Sequence, residues 1–257
     1  METLFQIDEA DIPLYRPDVK YKQVSVAAYY YQSDGRIVME DSLMTKFDSY
    51  GRLAYTSGVT ALGNQTRASY STFSYVNNTV TVENGGVLYS SPKHVYELDA
   101  KGRILTKSSL PGMGTMVLDR HVSYTPDGRI SYLHRTSDGG IAEKKVYKLT
   151  KTGKVKQLVE YGRDTTVAKK TIDYTYNGKD QLVAMVTKLK ALNIPGGIRY
   201  TFTYNDKGLI ASFKKGDGAG AALFTYTYKY DAKGEWTRME CLQNGEKRFY
   251  VNRYYIQ

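Results

Sequence analysis

The sequence predicts an all-β protein made of about nine consecutive antiparallel β-hairpins of about 25 residues, joined as a long, twisted and curled meander sheet. Three observations predict this class. A glycine-centred turn recurs along the chain, aromatic residues alternate with polar ones between the turns, and 25 Tyr and 23 Gly stand against only 6 Pro. Nine hairpins give about 18 strands, and sheets of more than roughly 10 strands tend to coil, split or close. A small β-propeller or a closed barrel is therefore the alternative architecture.

The recurring turn has a constant pattern. A strand residue is followed four positions later by a residue suited to positive φ, and six positions later by an apolar residue. The first interval between turns is 16 residues and the later ones are 24 to 28 residues. Glycine tolerates positive φ best, followed by Asn and Asp, and a hairpin turn closed by a bulge requires it. The predicted turn residues are Gly35, Gly51, Asn78, Gly102, Gly128, Gly153, Asp180, Gly208 and Gly234.

Between the turns, side chains alternate with the period of a β-strand. Tyr200, Phe202 and Tyr204 fall on one face of a strand over residues 199–204, and the residues between them are polar. Residues 225–230 repeat the pattern, with tyrosines on one face and Thr and Lys on the other. Such alternation indicates a strand with one buried and one wet face. The segment 181–192 has the strongest helical signal, and it fits a return strand equally well.

We divide the chain into an N-terminal segment, residues 1–24, and a single β-hairpin repeat domain, residues 25–257. No apolar run approaches the roughly 18 residues of a spanning helix, so we expect no transmembrane segment. The opening residues are acidic and interrupted by Pro13 and Pro17, unlike a secretion signal. The expected location is periplasmic, cell-surface or secreted if a leader was removed, and cytoplasmic otherwise. Cys241 is the single cysteine, which excludes an internal disulfide.

Positive charge is concentrated in the C-terminal part of the chain. Residues 1–140 contain 14 basic and 15 acidic residues, a net charge of −1, and residues 141–257 contain 22 and 11, a net charge of +11. Such asymmetry can mark a surface for nucleic acid or another anionic polymer. A solvated lysine face that discourages pairing of strand edges is the structural interpretation, and the preference for Lys over Arg favours it.

The turn segments resemble the YD repeat, also called the RHS repeat, whose core is Tyr-Asp-x-x-Gly-Arg-Leu. The likeness is carried by FDSYGRL (47–53), LDAKGRI (98–104), YTPDGRI (124–130) and YDAKGEW (230–236), and it covers most of residues 25–240. The arginine is lost at Gln181, Leu209 and Glu235. The resemblance implies β-hairpin units in spiralling sheets of bacterial envelope or secreted proteins, with carbohydrate binding often suggested. We expect a short, repeat-only member without the C-terminal toxin domain of the largest members.

No catalytic set emerges from the sequence. His94, His121 and His134 lack metal-ligand spacing, and acids such as Asp34 and Asp127 sit in turns, where Asp accepts backbone hydrogen bonds. We therefore expect no catalytic residue, no metal site and no cofactor. The remaining signal is an interleaving of basic and aromatic residues, which suits stacking on sugars or bases beside an anionic chain. These candidate ligand-binding residues are Lys145, Tyr147, Lys170, Tyr174, Arg199, Tyr200, Lys214 and Tyr226.

The same pattern has a structural interpretation, in which the tyrosines pack one sheet face and the lysines solubilise the other. The functional interpretation is a non-enzymatic YD/RHS-like repeat module of the bacterial envelope or cell surface that binds a carbohydrate or protein partner. Two alternatives stay open. The basic C-terminal part can bind nucleic acid or another anionic polymer, although nucleic acid is the less favoured partner. A glycan-active enzyme would need two carboxylates converging in one pocket.

Overall fold

The computed structural model describes residues 21–62, 65–86, 93–110, 117–126, 129–135, 140–192, 196–216 and 220–256. Within these ranges the chain forms β-strands joined by short turns, with one short 3-10 helix at Lys190–Leu192. The strands are β1 (Gln23–Tyr31), β2 (Ile37–Phe47), β3 (Leu53–Leu62), β4 (Gln65–Val76), β5 (Thr79–Gly86), β6 (Lys93–Leu98), β7 (Ile104–Leu110), β8 (Val117–Tyr124), β9 (Arg129–Arg135), β10 (Ile141–Leu149), β11 (Val155–Tyr161), β12 (Ala168–Tyr176), β13 (Leu182–Leu189), β14 (Ile198–Tyr204), β15 (Ile210–Lys215), β16 (Ala222–Tyr230), β17 (Trp236–Gln243) and β18 (Glu246–Ile256).

Strands that follow one another in the chain pair in antiparallel fashion, as β1 with β2 and β12 with β13. The first strand, β1, also pairs with the last, β18. At this junction the backbone N–H of Lys22 donates to the carbonyl of Ile256 at 2.9 Å. The strand order therefore returns to its starting strand, which is the connectivity of a closed barrel. The all-β class and the succession of hairpins are confirmed, and the closed barrel, predicted as the alternative, takes the place of the open meander.

An acidic side chain helps to shape the repeated turn. Asp48 Oδ1 accepts hydrogen bonds from the backbone N–H groups of Tyr50 and Arg52, both at 2.9 Å, and Arg52 Nε donates to Asp48 Oδ2 at 2.7 Å. Gly51 in this turn has φ 73°. The same pair of backbone bonds forms at Asp99, Asn177, Asn205 and Asp231. The Asp-x-x-Gly-Arg spacing of the repeat is thus a turn-capping arrangement.

Most of the predicted turn residues have the predicted backbone. Positive φ occurs at Gly35, Gly51, Gly102, Gly153, Asp180, Gly208 and Gly234. The prediction of positive φ at Asn78 is wrong. Val76 pairs with Thr79, so the turn holds only two residues, and the one with positive φ is Asn77 at 52°. Gly128 and residues 1–20 of the predicted N-terminal segment lie outside the described residues.

The short first interval of the repeat has a topological cause. The Gly35 turn joins β1 to β2 and the Gly51 turn joins β2 to β3, so these two turns lie at opposite ends of one 11-residue strand. The first two predicted hairpins therefore share β2. The eighteenth strand follows Asn244 and Gly245, with φ 51° and 89°, an Asn-Gly turn that the repeat pattern does not include.

Tyrosine hydroxyls connect successive hairpins. The Tyr204 hydroxyl donates to the carbonyl of Leu182 at 2.7 Å, and Leu182 is the first residue of the return strand in the preceding hairpin. Four further tyrosines bond the first residue of a return strand in the same way: Tyr75 to Leu53, Tyr176 to Val155, Tyr228 to Ile210 and Tyr255 to Trp236, at 2.7 to 3.1 Å. These bonds hold neighbouring hairpins in register.

Contacts divide the chain into two units. Unit 1 comprises the described residues up to 118 with 230–238 and 250–256, and unit 2 comprises residues 119–229 and 239–249. Val80 and Val82 are among the buried core residues of unit 1, and Leu158 and Phe213 are among those of unit 2. Most other strand residues are half-buried. In the described part of the chain, no helix has the length and hydrophobicity needed to span a membrane.

Candidate ligand-binding surfaces

Strands β10–β16 of unit 2 carry two chemically different faces. On the first, which we call the aromatic face, Tyr147 lies opposite Leu158, Leu158 opposite Ile172, and Phe202 opposite Phe213. These five side chains are 4% to 8% exposed. Successive residues of a strand point to opposite sides of the sheet, so their sequence neighbours form the second face, which we call the basic face.

A packed aromatic cluster occupies part of the aromatic face. The Phe213 ring stacks with Tyr200 and Phe224, with ring centroids 5.8 Å and 5.4 Å apart. Burial raises the pKa of the Tyr226 phenol, and it also raises the pKa of the Cys241 thiol, to about 11. A neutral, fully buried thiol is a small apolar packing group rather than a nucleophile. This cluster is therefore hydrophobic core.

Four charged side chains lie beside this core on the aromatic face, and we call them the charged row: Glu143, Lys145, Glu160 and Lys170. Lys145 is opposite Glu160 across β10 and β11, and Glu160 is opposite Lys170 across β11 and β12. Lys170 Nζ lies 3.1 Å from Glu160 Oε1, and Lys145 Nζ lies 3.5 Å from Glu143 Oε2. The four side chains keep 13% to 30% of their exposure. Water therefore reaches the charged row.

Polar residues continue beyond the charged row on the neighbouring strands. His134 of β9 is opposite Glu143, and Arg120 of β8 is opposite His134. Ion pairs that are partly withdrawn from water add little net stability, because desolvation offsets much of their attraction. These charges on a largely apolar face are therefore the candidate ligand contacts of unit 2.

The charged residues of the basic face are almost all positive. Its cations come from six of the seven strands: Lys144, Lys148, Lys169, Lys188, Arg199, Lys214 and Lys229. Among the described residues of β10–β16, Asp173 is the only carboxylate on this face. Asp173 is held by Gln157 Nε2 at 2.7 Å and by Lys188 Nζ at 3.5 Å. Lys144 Nζ lies 5.7 Å from the centroid of the Tyr161 ring, which it covers.

The formal charge of the chain follows the same division. Unit 2 contains 22 basic and 12 acidic residues by sequence, a net charge of +10, and the rest of the chain contains 14 of each, a net charge of zero. The C-terminal excess of positive charge is therefore an excess in unit 2. Within β10–β16, the basic face contributes seven cations and one carboxylate to it.

The structure places the predicted ligand-binding residues on two different faces. Lys145, Tyr147, Lys170, Tyr174, Tyr200 and Tyr226 lie on the aromatic face, and Arg199 and Lys214 lie on the basic face. The first four are close together, on β10 and β12 with β11 between them. Tyr200 is part of the packed aromatic cluster, and the Tyr226 hydroxyl lies beside the Cys241 thiol. Ligand binding by these eight residues stays a prediction.

Glu143, Glu160 and most cations of the basic face are not among the residues predicted from the sequence. A signal for one carboxylate was present, because Glu143, Lys145 and Tyr147 are spaced two residues apart and therefore share a face of the strand. Glu160 joins them only through the pairing of β10 with β11, and that register cannot be read from the sequence of one strand.

The described residues offer no metal centre. Over the described ranges, no three His, Cys, Asp or Glu side chains come close enough together to hold an ion. His94 is hydrogen-bonded through Nδ1 to Ser109 Oγ at 2.8 Å.

Comparison with known proteins finds likeness in solved structures. No family model matches the chain, and no curated protein is significantly similar to it. A porin-like protein from Bacteroides uniformis ATCC 8492 superposes with a TM-score of 0.56 at 16% identity, over 94% of this chain and 99% of that one. The likeness shows the fold alone. The TcdB2–TccC3–Cdc42 structure matches with a TM-score of 0.34 at 11% identity, over 88% of this chain and 16% of that one, which is too weak to support an argument.

Proposed function

We propose that this protein is a non-enzymatic repeat module of the bacterial envelope or cell surface, of the YD/RHS kind, that binds a carbohydrate or protein partner through the aromatic face of unit 2. The observation that carries the proposal is the charged row, Glu143, Lys145, Glu160 and Lys170, set among tyrosines and apolar residues on a face that water reaches. The porin-like structural neighbour supports the envelope part of the proposal.

The chemistry of this face suits a sugar. Sugar hydroxyls both donate and accept hydrogen bonds, and lysines and glutamates side by side supply donors and acceptors at short spacing. Tyr174 stands on the same face, four residues along its strand from Lys170, and is half-buried, whereas Tyr147 is buried in the core. Aromatic side chains provide the apolar surface that a small-molecule site needs beside a few well-placed polar groups.

The test is a glycan array together with a pull-down from bacterial cell extract, each with two variants. Lys145→Ala removes a donor from the charged row, and Lys144→Ala, one residue away, removes a lysine from the basic face. We expect binding that Lys145→Ala weakens and Lys144→Ala leaves unchanged. Silence in both assays, or equal loss in the two variants, would contradict the proposal.

A second candidate function rests on the basic face. Its seven cations with one carboxylate suit an anionic polymer such as nucleic acid. Binding to duplex DNA should then weaken steeply with salt, with a log–log slope of about 0.9 per phosphate contact. Lys188→Ala and Arg199→Ala should each lower that slope by about one contact, whereas Lys170→Ala should not. Absence of binding at about 50 mM salt would exclude this function.

A further inference from the structure

We infer that the charged row selects a neutral, polyhydroxylated ligand, an uncharged oligosaccharide, over acidic glycans. This inference rests on the proposed function and assigns a ligand class to the same site. It follows from the charge balance of the row, from its position across three strands, and from what its glutamates would do to a ligand that carries charge.

The charged row is electrically balanced. Its two lysines and two glutamates sum to zero, and each lysine is paired at 3.1 to 3.5 Å with a glutamate of the row. Seven further cations of β10–β16 lie on the opposite, basic face, together with the carboxylate of Asp173. Arg120 is two strands away from Glu143, across β9. A ligand on the row itself therefore meets no net charge.

The row also determines how an extended ligand would be oriented relative to the strands. Lys145, Glu160 and Lys170 lie on three adjacent strands in register, and neighbouring strands are about 4.8 Å apart. Donors and acceptors therefore alternate along a line that runs across the strands. Tyr147 and Ile172, two residues farther along their strands, are buried in the core, so the row lies at the edge of the core. An extended chain of sugar rings, lying across β10–β12, matches this polar line.

A charged ligand fits this line poorly. The carboxylates of an acidic glycan would lie close to Glu143 and Glu160, and like charges are costly where exposure is low. Glu160 keeps only 13% of its side-chain exposure. A hydroxyl, in contrast, donates to a glutamate and accepts from the adjacent lysine without disturbing their ion pair. Hydrogen bonds to charged groups are also the stronger ones, which offsets the loss of water from the row.

The experiment compares the binding of neutral and acidic glycans on one array. It uses two variants, each of which removes the carboxylate of one cross-strand ion pair. Glu160→Gln leaves Lys145 and Lys170 with one carboxylate fewer, and Asp173→Asn breaks the Lys188 ion pair on the basic face as a matched control. We expect the wild-type protein to bind neutral glycans. Glu160→Gln should weaken that binding by about 10-fold or more and improve binding of uronic-acid glycans. Asp173→Asn should leave neutral-glycan binding within about 3-fold.

A double variant keeps the test decisive if Glu160→Gln unfolds. Glu160→Gln with Lys170→Gln retains a donor and an acceptor and leaves no unpaired charge, so it should bind neutral glycans within about 10-fold of wild type. Preference for acidic glycans in the wild-type protein, or neutral-glycan binding that Asp173→Asn weakens as much as Glu160→Gln does, would overturn the inference and leave the proposed function standing. Failure to bind any glycan would overturn the inference, and failure to bind any protein as well would overturn both.

Discussion

Replacing Tyr204 by Phe measures what one inter-hairpin hydrogen bond contributes to stability. The variant keeps the ring and removes only the hydroxyl that donates to the Leu182 carbonyl at 2.7 Å. A hydrogen bond between neutral groups contributes about 0.5–1.5 kcal/mol net, and a carbonyl that loses its donor costs more only if water cannot replace it. Tyr204 is half-buried, so water can replace the donor. We expect the free energy of unfolding to fall by about 1 kcal/mol.

The assay is equilibrium unfolding in urea, followed by circular dichroism, with Tyr50→Phe as the control. Tyr50 is 70% exposed, so loss of its hydroxyl should change the free energy of unfolding by less than about 0.5 kcal/mol. A change in the midpoint with an unchanged m-value would show an effect on stability alone. If both variants lose the same free energy of unfolding, or if Tyr204→Phe loses none, the inter-hairpin hydrogen bonds do not stabilise the fold.

Three further predictions concern the turns, the buried tyrosines and the closure of the sheet. Gly102→Ala should cost about 1–2 kcal/mol in thermal or urea unfolding, because an L-residue is strained at φ 74° although no atom obstructs its Cβ; an unchanged stability would refute the turn assignment. Burial raises the pKa of Tyr75 to about 12, so the unfolded chain loses this proton first, and stability should fall as pH rises from about 10 toward 12, with a shallower fall in Tyr75→Phe; equal slopes would contradict this. The Lys22 amide should exchange slowly with deuterium and should lose protection when the chain is cut before Glu246, whereas protection that survives the truncation would argue against pairing of β1 with β18.

The turns and strands could be predicted from sequence because their causes are local. Positive φ at Gly208 and Gly234 and the alternation around Phe202 need no information beyond a few neighbouring residues. The same locality explains the error at Asn78. An Asn-Asn pair provides two residues of similar tolerance, and the pairing of the flanking strands decided in favour of Asn77.

Features that join distant parts of the chain could not be predicted. Closure of the sheet depends on β1 meeting β18 at the other end of the sequence. The bond from Tyr204 to Leu182 spans 22 residues, and the repeat pattern specifies the tyrosine without specifying its acceptor. The candidate site illustrates the same limit. Alternation along β10 predicts that Lys145 and Lys144 lie on opposite faces. That Glu160 lies opposite Lys145 follows only from the register of β10 with β11.

Lysine labelling by mass spectrometry tests most directly whether ligand binds the aromatic face. Two pairs of sequence neighbours supply the contrast, because Lys145 and Lys170 belong to the charged row and Lys144 and Lys169 to the basic face. Amine acylation rates are measured for each lysine with and without the neutral glycan that the array selects. We expect the glycan to slow labelling of Lys145 and Lys170 and to leave labelling of Lys144 and Lys169 unchanged. Protection of Lys144 and Lys169 instead, or equal protection of all four, would contradict this expectation.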